Sequence, residues 1–162
     1  MKKIFLLVAI TFSIVATAQV SKVSLQASGL TCSMCSNAIN KALKTLDFVD
    51  KVDADIKNYT FEISFNNDKP VDFDKIKKKV EDAGFSVSAF VATIYFDSVQ
   101  IKDNEPVRVD NHNLLFVNGK NQLLSGPNNV KVLDQGFVAS GKSKSNDFSA
   151  ESGNARLYHV SL

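Results

Sequence analysis

Gly29-Leu30-Thr31-Cys32-Ser33-Met34-Cys35 holds both cysteines of this 162-residue chain, and its flanks decide how the fold is read. Upstream, Val20-Ser21-Lys22-Val23-Ser24-Leu25-Gln26-Ala27 places apolar residues at every second or third position, as a half-buried strand does. Downstream, Cys35, Ala38, Ile39, Ala42, Leu43 and Leu46 recur at steps of three and four, the spacing of a helix. The thiol pair is therefore expected where a strand turns into a helix. The free N–H groups and positive dipole end of a helix favour thiolate over thiol, and the thiolate is both nucleophile and metal ligand. With two residues between them, the sulfurs can face one small soft cation, or each other.

Working outward, the pattern from Gln19 to about Ala92 reads strand, helix, strand, strand, helix, strand. Val52, Ala54 and Ile56 are expected inward on the second strand, with Asp53 and Asp55 outward. Tyr59, Phe61, Ile63 and Phe65 share one face of the third, after a tight turn at Lys57-Asn58. Pro70 breaks the chain, and Asp72 suits the N-cap of a helix that carries Phe73, Ile76, Val80 and Ala83 on one side. Gly84 ends that helix, and the last strand begins near Phe85. Two βαβ units around four strands predict an α+β, ferredoxin-like βαββαβ domain over residues 19–92.

Residues 93–162 lack helical periodicity. Short apolar runs at Thr93–Phe96, Val107–Val109, Leu114–Val117, Val130–Leu133, Gly136–Ala139 and Ala155–Val160 are divided by turn signals. These signals are Asn118-Gly119, Gly126-Pro127-Asn128-Asn129 and Gly141, and they predict a small all-β C-terminal unit of unassigned role. Ser143 to Gly153 reads as a polar loop, and Phe85 to Phe96 can form one long strand shared by both units.

The N-terminus is set apart. Met1-Lys2-Lys3 is a basic head, Ile4 to Val15 is apolar, and Ala16-Thr17-Ala18 has the small residues of a cleavage site, so residues 1–18 read as a signal peptide. The apolar run is shorter than the ~18–20 residues of a spanning helix. The expected product is exported, periplasmic or extracellular, and soluble after cleavage. Without Lys2 and Lys3 the formal charge of +2 falls to zero. Near-neutrality speaks against nucleic acid, which needs clustered positive charge, and the run Lys75 to Lys79 has the spacing of a wet helix face. Export favours disulfides, yet a bridge between residues three apart removes little chain entropy. Metal binding or redox chemistry remains for the pair.

The thiol loop, followed by Ala83-Gly84-Phe85, resembles the heavy-metal-associated domain family of copper chaperones, copper-ATPase N-terminal modules and the periplasmic mercury-binding protein. The resemblance spans roughly the seventy residues already read as βαββαβ. It implies that Cys32 and Cys35 are the metal ligands, that Gly29 is the turn glycine, and that Thr31 is the small polar residue beside the first ligand. Leu30 departs from the methionine usual there and should still support the loop from beneath. Phe85 matches the aromatic of the ATPase modules and the mercury protein, where several soluble chaperones place a lysine.

Two thiolates without a carboxylate or imidazole suit a soft ion, chiefly Cu(I), with Hg(II) also compatible. Zn(II) enters less readily, because a closed zinc site takes four ligands. The expected partner is a thiol protein or transporter that donates or accepts the metal. Met34 is expected to face solvent, and His112 and His159 to be polar surface or turn residues. No nucleophile–base constellation or phosphate loop is visible, so the chain is read as a carrier and not an enzyme. The alternative is a thiol–disulfide oxidoreductase with Cys32 as nucleophile.

Overall fold

Alternation of Val23, Leu25 and Ala27 with polar neighbours produces β1 (Ala18–Ser28), and all three side chains are buried. The computed structural model describes residues 18–66, 68–102, 105–117, 119, 121–139 and 156–162. After the thiol loop comes α1 (Ser33–Leu43), which buries Ser36, Ile39 and Leu43 along one stripe. β2 (Val49–Asp55) and β3 (Thr60–Phe65) form a hairpin with Val52 opposite Ile63 and Ala54 opposite Phe61. Asp55 organises its turn, accepting the N–H groups of Lys57 at 2.9 Å and Asn58 at 3.3 Å.

The second helix, α2 (Phe73–Asp82), begins as its sequence suggests: Asp72 accepts the Lys75 N–H at 3.0 Å. Phe73, Ile76 and Val80 are wholly buried. It ends on Gly84 at φ +89°, a backbone that disfavours any side chain. There the Gly84 N–H reaches the Glu81 carbonyl at 2.8 Å and the Phe85 N–H the Val80 carbonyl at 3.1 Å. β1 runs antiparallel to β3 on one side and to β4 (Ser86–Ile101) on the other, which gives the order β2-β3-β1-β4. α1 and α2 touch each other, α1 touches β2 and α2 touches β4. This is the expected ferredoxin-like arrangement.

The 16-residue β4 continues well past residue 92. It pairs with β1 as far as Phe96 and, from Val91 on, with a strand from the second half. The remaining strands are β5 (Pro106–Val109), β6 (His112–Phe116), β7 (Gln122–Val132) and β8 (Leu157–Ser161). The regular structure described beyond β4 is thus all strand, yet it builds no sheet of its own. It extends the first sheet into one of eight strands, β2-β3-β1-β4-β7-β8-β6-β5. Twist then brings the far edge back, and the Val20 N–H donates to Asp110 Oδ2 in the β5–β6 turn at 3.1 Å.

Several expectations need correction. Gly126-Pro127-Asn128-Asn129 is not a turn but lies within β7, opposite Phe96 to Thr93. Among the described residues β7 has β4 on one side only over this stretch, since β8 joins it at Lys131 and Val132, and such an edge position is where a strand tolerates proline. Gly126 at φ +74° and Ser98 at φ +51° take up a bulge between the two strands. Gly136–Ala139 is not a strand; it contains one end of an isolated Gln135–Val138 bridge. Ile56 is half exposed in the turn after β2, not inward. The signal segment through Thr17, Asn118 and the Ser143–Gly153 loop lie outside the described residues.

The histidines are also misplaced by the sequence reading. His112 is buried, its ring stacked 4.2 Å from that of Phe73, and His159 donates to or accepts from Asp134 Oδ1 through Nδ1 at 2.9 Å. Phe73 also meets the Tyr158 ring at 5.4 Å, and the Tyr158 hydroxyl donates to Asp74 Oδ2 at 2.8 Å. Arg156 pairs with the same carboxylate. These contacts bind β6 and β8 to the first turn of α2, the end of the helix remote from Gly84.

Candidate metal centre

Chain direction places the thiol loop. β1 runs toward α1, α2 runs alongside toward Gly84, and β4 starts there, opposite the end of β1 through the Ser28–Ser86 pair. The β1–α1 loop and the α2–β4 turn therefore meet at one end of the molecule. Gly29 takes φ +86°, and a Cβ built on it would stand 3.9 Å from Phe85 Cδ1, so the ring lies directly against the loop. Phe85 is half-buried and rests on the core. Leu30 is buried and anchors the loop, whereas Thr31 is exposed.

Cys32 is the N-cap of α1 in extended backbone, and its carbonyl accepts the Cys35 N–H at 3.1 Å. Its side chain makes no cap bond, so the sulfur is free for other work. Cys32 is exposed and Cys35 half-buried, with Sγ atoms 3.0 Å apart and unbonded as free thiols. No acidic residue occupies the first turn of α1, so nothing competes with a thiolate for the positive helix end. The hydrogen bond from the Cys32 side chain, then that from the Thr31 backbone, hold the Cys35 thiol below its ordinary value. Met34 between them is 80% exposed, pointing to solvent as expected.

The loop residues singled out by sequence thus come together: Gly29, Leu30, Thr31, Cys32, Cys35 and Phe85 share one end of the fold. His112 and His159 belong to the second-half strands and do not join them. Among the described residues no group of three or more His, Cys, Asp or Glu can hold a metal ion. The two sulfurs at the surface are donors of the kind soft ions prefer. Ser36, buried immediately after Cys35, was missed by sequence reading. Its signal was present: a polar residue three before Ile39 on the apolar stripe.

Residues 24–86 match the family model for the heavy-metal-associated domain. The chain is 31% identical over 64 residues to the copper chaperone CopZ of Staphylococcus saprophyticus, an alignment covering 40% of this chain and 93% of the chaperone. It is 34% identical over 64 residues to a probable copper-exporting P-type ATPase of Archaeoglobus fulgidus, covering 40% of this chain but 8% of that protein. With a copper-transporting ATPase of Saccharomyces cerevisiae the figures are 38% over 64 residues, 40% of this chain and 6% of that protein. The chain thus spans less than a tenth of either ATPase and nearly all of the chaperone. By this match, and by a thiol pair capping the first helix of a βαββαβ fold, the chain belongs to the heavy-metal-associated domain family.

Proposed function

We propose that this protein carries one Cu(I) on the thiolates of Cys32 and Cys35 and passes it to a partner's thiol by ligand exchange. The observation that carries this reading is the pair of free sulfurs, 3.0 Å apart, at a helix N-terminus without an acidic neighbour in its first turn. Two soft donors and no carboxylate or imidazole favour a soft monovalent ion over zinc, which takes four ligands. The copper names of the chaperone and ATPase relatives support the same ion. Metal–thiolate bonds are about 2.3 Å long, so an ion bonded to both sulfurs at any angle wider than about 80° would hold them farther apart than the 3.0 Å seen here. Exposed Cys32 is the side chain free to swing outward, and that same freedom lets an incoming thiol replace it.

In this reading the chain is a binding protein, not an enzyme. Residues 19–92 hold the metal, and β6 and β8 of the second half brace the start of α2. Met1–Ala18, a basic head, an apolar run and Ala-Thr-Ala, supports export to a periplasmic or extracellular space. There the two thiols would form a disulfide when no metal or reductant is present, and loading would come from a thiol-bearing donor.

Anaerobic titration of the reduced protein tests the reading, with Cu(I), Zn(II) and Hg(II) in competition. We expect one Cu(I) per chain and two Cu–S contacts by X-ray absorption. Binding that survives Cys32→Ser together with Cys35→Ser would refute it.

A further inference from the structure

Cleavage after Ala18, the processing step that export implies, makes Gln19 the first residue and turns its amide nitrogen into an α-ammonium. That end of β1 is already held by the second half of the chain, through the Val20 N–H donated to Asp110 Oδ2 at 3.1 Å. Successive backbone nitrogens stand about 3.6 Å apart at most, so the Gln19 nitrogen lies within about 7 Å of the same oxygen. β3 pairs with β1 only from Lys22 to Gln26, which leaves Gln19 and Val20 beyond its reach. A cavity of about 290 Å³ opens there, with Gln19, Asn66, Asp68, Lys69, Asp110 and Asn111 in its wall. Lys69 is taken by Asp47 at 3.0 Å, whereas Asp68 and Asp110 have no ion-pair partner among the described residues. The cavity is short of positive charge.

We propose that the mature N-terminus is itself the occupant: the Gln19 ammonium, freed by processing, turns about its Cα–C bond onto the Asp110 carboxylate and latches β1 to the β5–β6 turn. The inference rests on the reading of residues 1–18 as a removed signal segment. In the uncut chain the same nitrogen is a neutral amide with one N–H, so the ion pair exists only after processing. An ammonium brings three donors and a full charge, and hydrogen bonds between ionised partners are shorter and stronger than neutral ones. Asp110 is held for this role by its turn, at φ +48° with its own carbonyl accepting from Arg108 Nε at 3.3 Å. Ala18 is buried opposite Phe96, so its bond to Gln19 is cut before β1 is laid into the sheet.

An N-terminal glutamine reports on its own amine. The free amine attacks the side-chain amide carbon, a new C–N bond closes a lactam, and the amide nitrogen leaves as ammonia with the amine's proton; a protonated, held ammonium does not react. Residues 19–162, the whole processed chain, are released from a cleavable fusion and followed by mass spectrometry for loss of ammonia at one pH. Asp110→Asn is run beside them, since asparagine keeps an acceptor for the Val20 N–H and tolerates the left-handed backbone, so only the charge is removed. The unaltered chain should cyclise about threefold more slowly than Asp110→Asn when folded, the scale of an ion pair open to solvent, and at the same rate in denaturant. Equal rates in the folded state overturn the proposal, and so does a difference that persists in denaturant. If Asp110→Asn does not fold, the unaltered chain decides alone: its cyclisation must be slower folded than unfolded and must quicken as salt screens the pair. The mass of the protein recovered from an exporting host is read separately, and a chain that keeps residues 1–18 refutes the export reading instead.

Discussion

Tyr158→Phe removes a single hydrogen bond between the two halves of the chain and leaves the ring in place. Tyr158 belongs to β8, is 1% exposed, and donates to Asp74 Oδ2 on α2 at 2.8 Å. Its ring packs edge-on against Phe73, His112 and Phe137, contacts that phenylalanine keeps. A hydrogen bond to a charged group contributes about 1.5–3 kcal/mol. The Asp74 side chain is 31% exposed and retains Arg156 and Lys77, so the lower end applies, about 1.5 kcal/mol. In a protein of this size that corresponds to a fall in Tm of about 3–6 °C. The assay is thermal unfolding of Tyr158→Phe, Asp74→Asn and the double variant, followed by both circular dichroism and thiol accessibility. Because β4 carries one sheet through both halves, the two probes should report a single transition that moves as one. Cu(I) affinity should not change, since Asp74 lies at the end of α2 away from Gly84. A shift below about 0.3 kcal/mol, or two transitions of which one moves, would refute the coupling assigned to this contact.

Three further outcomes follow from the site and its surroundings. Burial outweighs the nearby Asp72 and Asp110 carboxylates and holds His112 below its ordinary 6.5, so the unfolded chain binds a proton that the folded one refuses. Stability should therefore fall as pH drops below about 6.5 and return above it, and His112→Phe should flatten denaturant-measured stability below about pH 6.5; an unaltered slope removes His112 as the cause. Because Cys32 and the Thr31 backbone lower the Cys35 thiol, alkylation of Cys35 should rise at a lower pH than that of a free cysteine, and Cys32→Ser should move the profile upward, a result checked by mass spectrometry of the labelled peptide. Phe85→Leu keeps most of the apolar volume at a half-buried position and should cost less than about 1.5 kcal/mol, yet it should speed loss of Cu(I) to a chelator; a collapsed melting temperature with an unchanged off-rate would show that the ring serves the core alone.

Local physics made the first half of this molecule readable. Alternation in Val20–Ala27, the three-and-four spacing after Cys35, the Asp72 cap and the Gly84 stop each specify a conformation through neighbours a few residues away, and each element formed where those signals stood. The placing of the two thiols at a strand-to-helix turn was legible for the same reason, since it needs only the end of one pattern and the start of another. Which residues support them was legible in part. Gly29 and Phe85 are far apart in sequence, and their contact depends on β1 and β4 pairing so that Ser28 meets Ser86. Ser36 went unnoticed because a polar residue near a helix start is ordinary until its burial is known.

The second half was decided by tertiary structure. Gly126-Pro127 carries a turn signature, but pairing of β7 along the whole outer length of β4 outweighs it, and the proline is tolerated because, among the described residues, no strand lies on the side of β7 away from β4 there. His112 looks like a surface residue beside Asp110 and Asn111, yet stacking on Phe73, 39 positions earlier, takes it into the core. Sequence alone therefore determined the elements, the thiol loop and the chemistry that loop can support, because these depend on spacing and residue type. Only the fold decided that one sheet unites both halves, that β6 and β8 grip the start of α2, and that the thiol loop meets Gly84 and Phe85 at the helix's other end, because those outcomes depend on which distant surfaces bury each other.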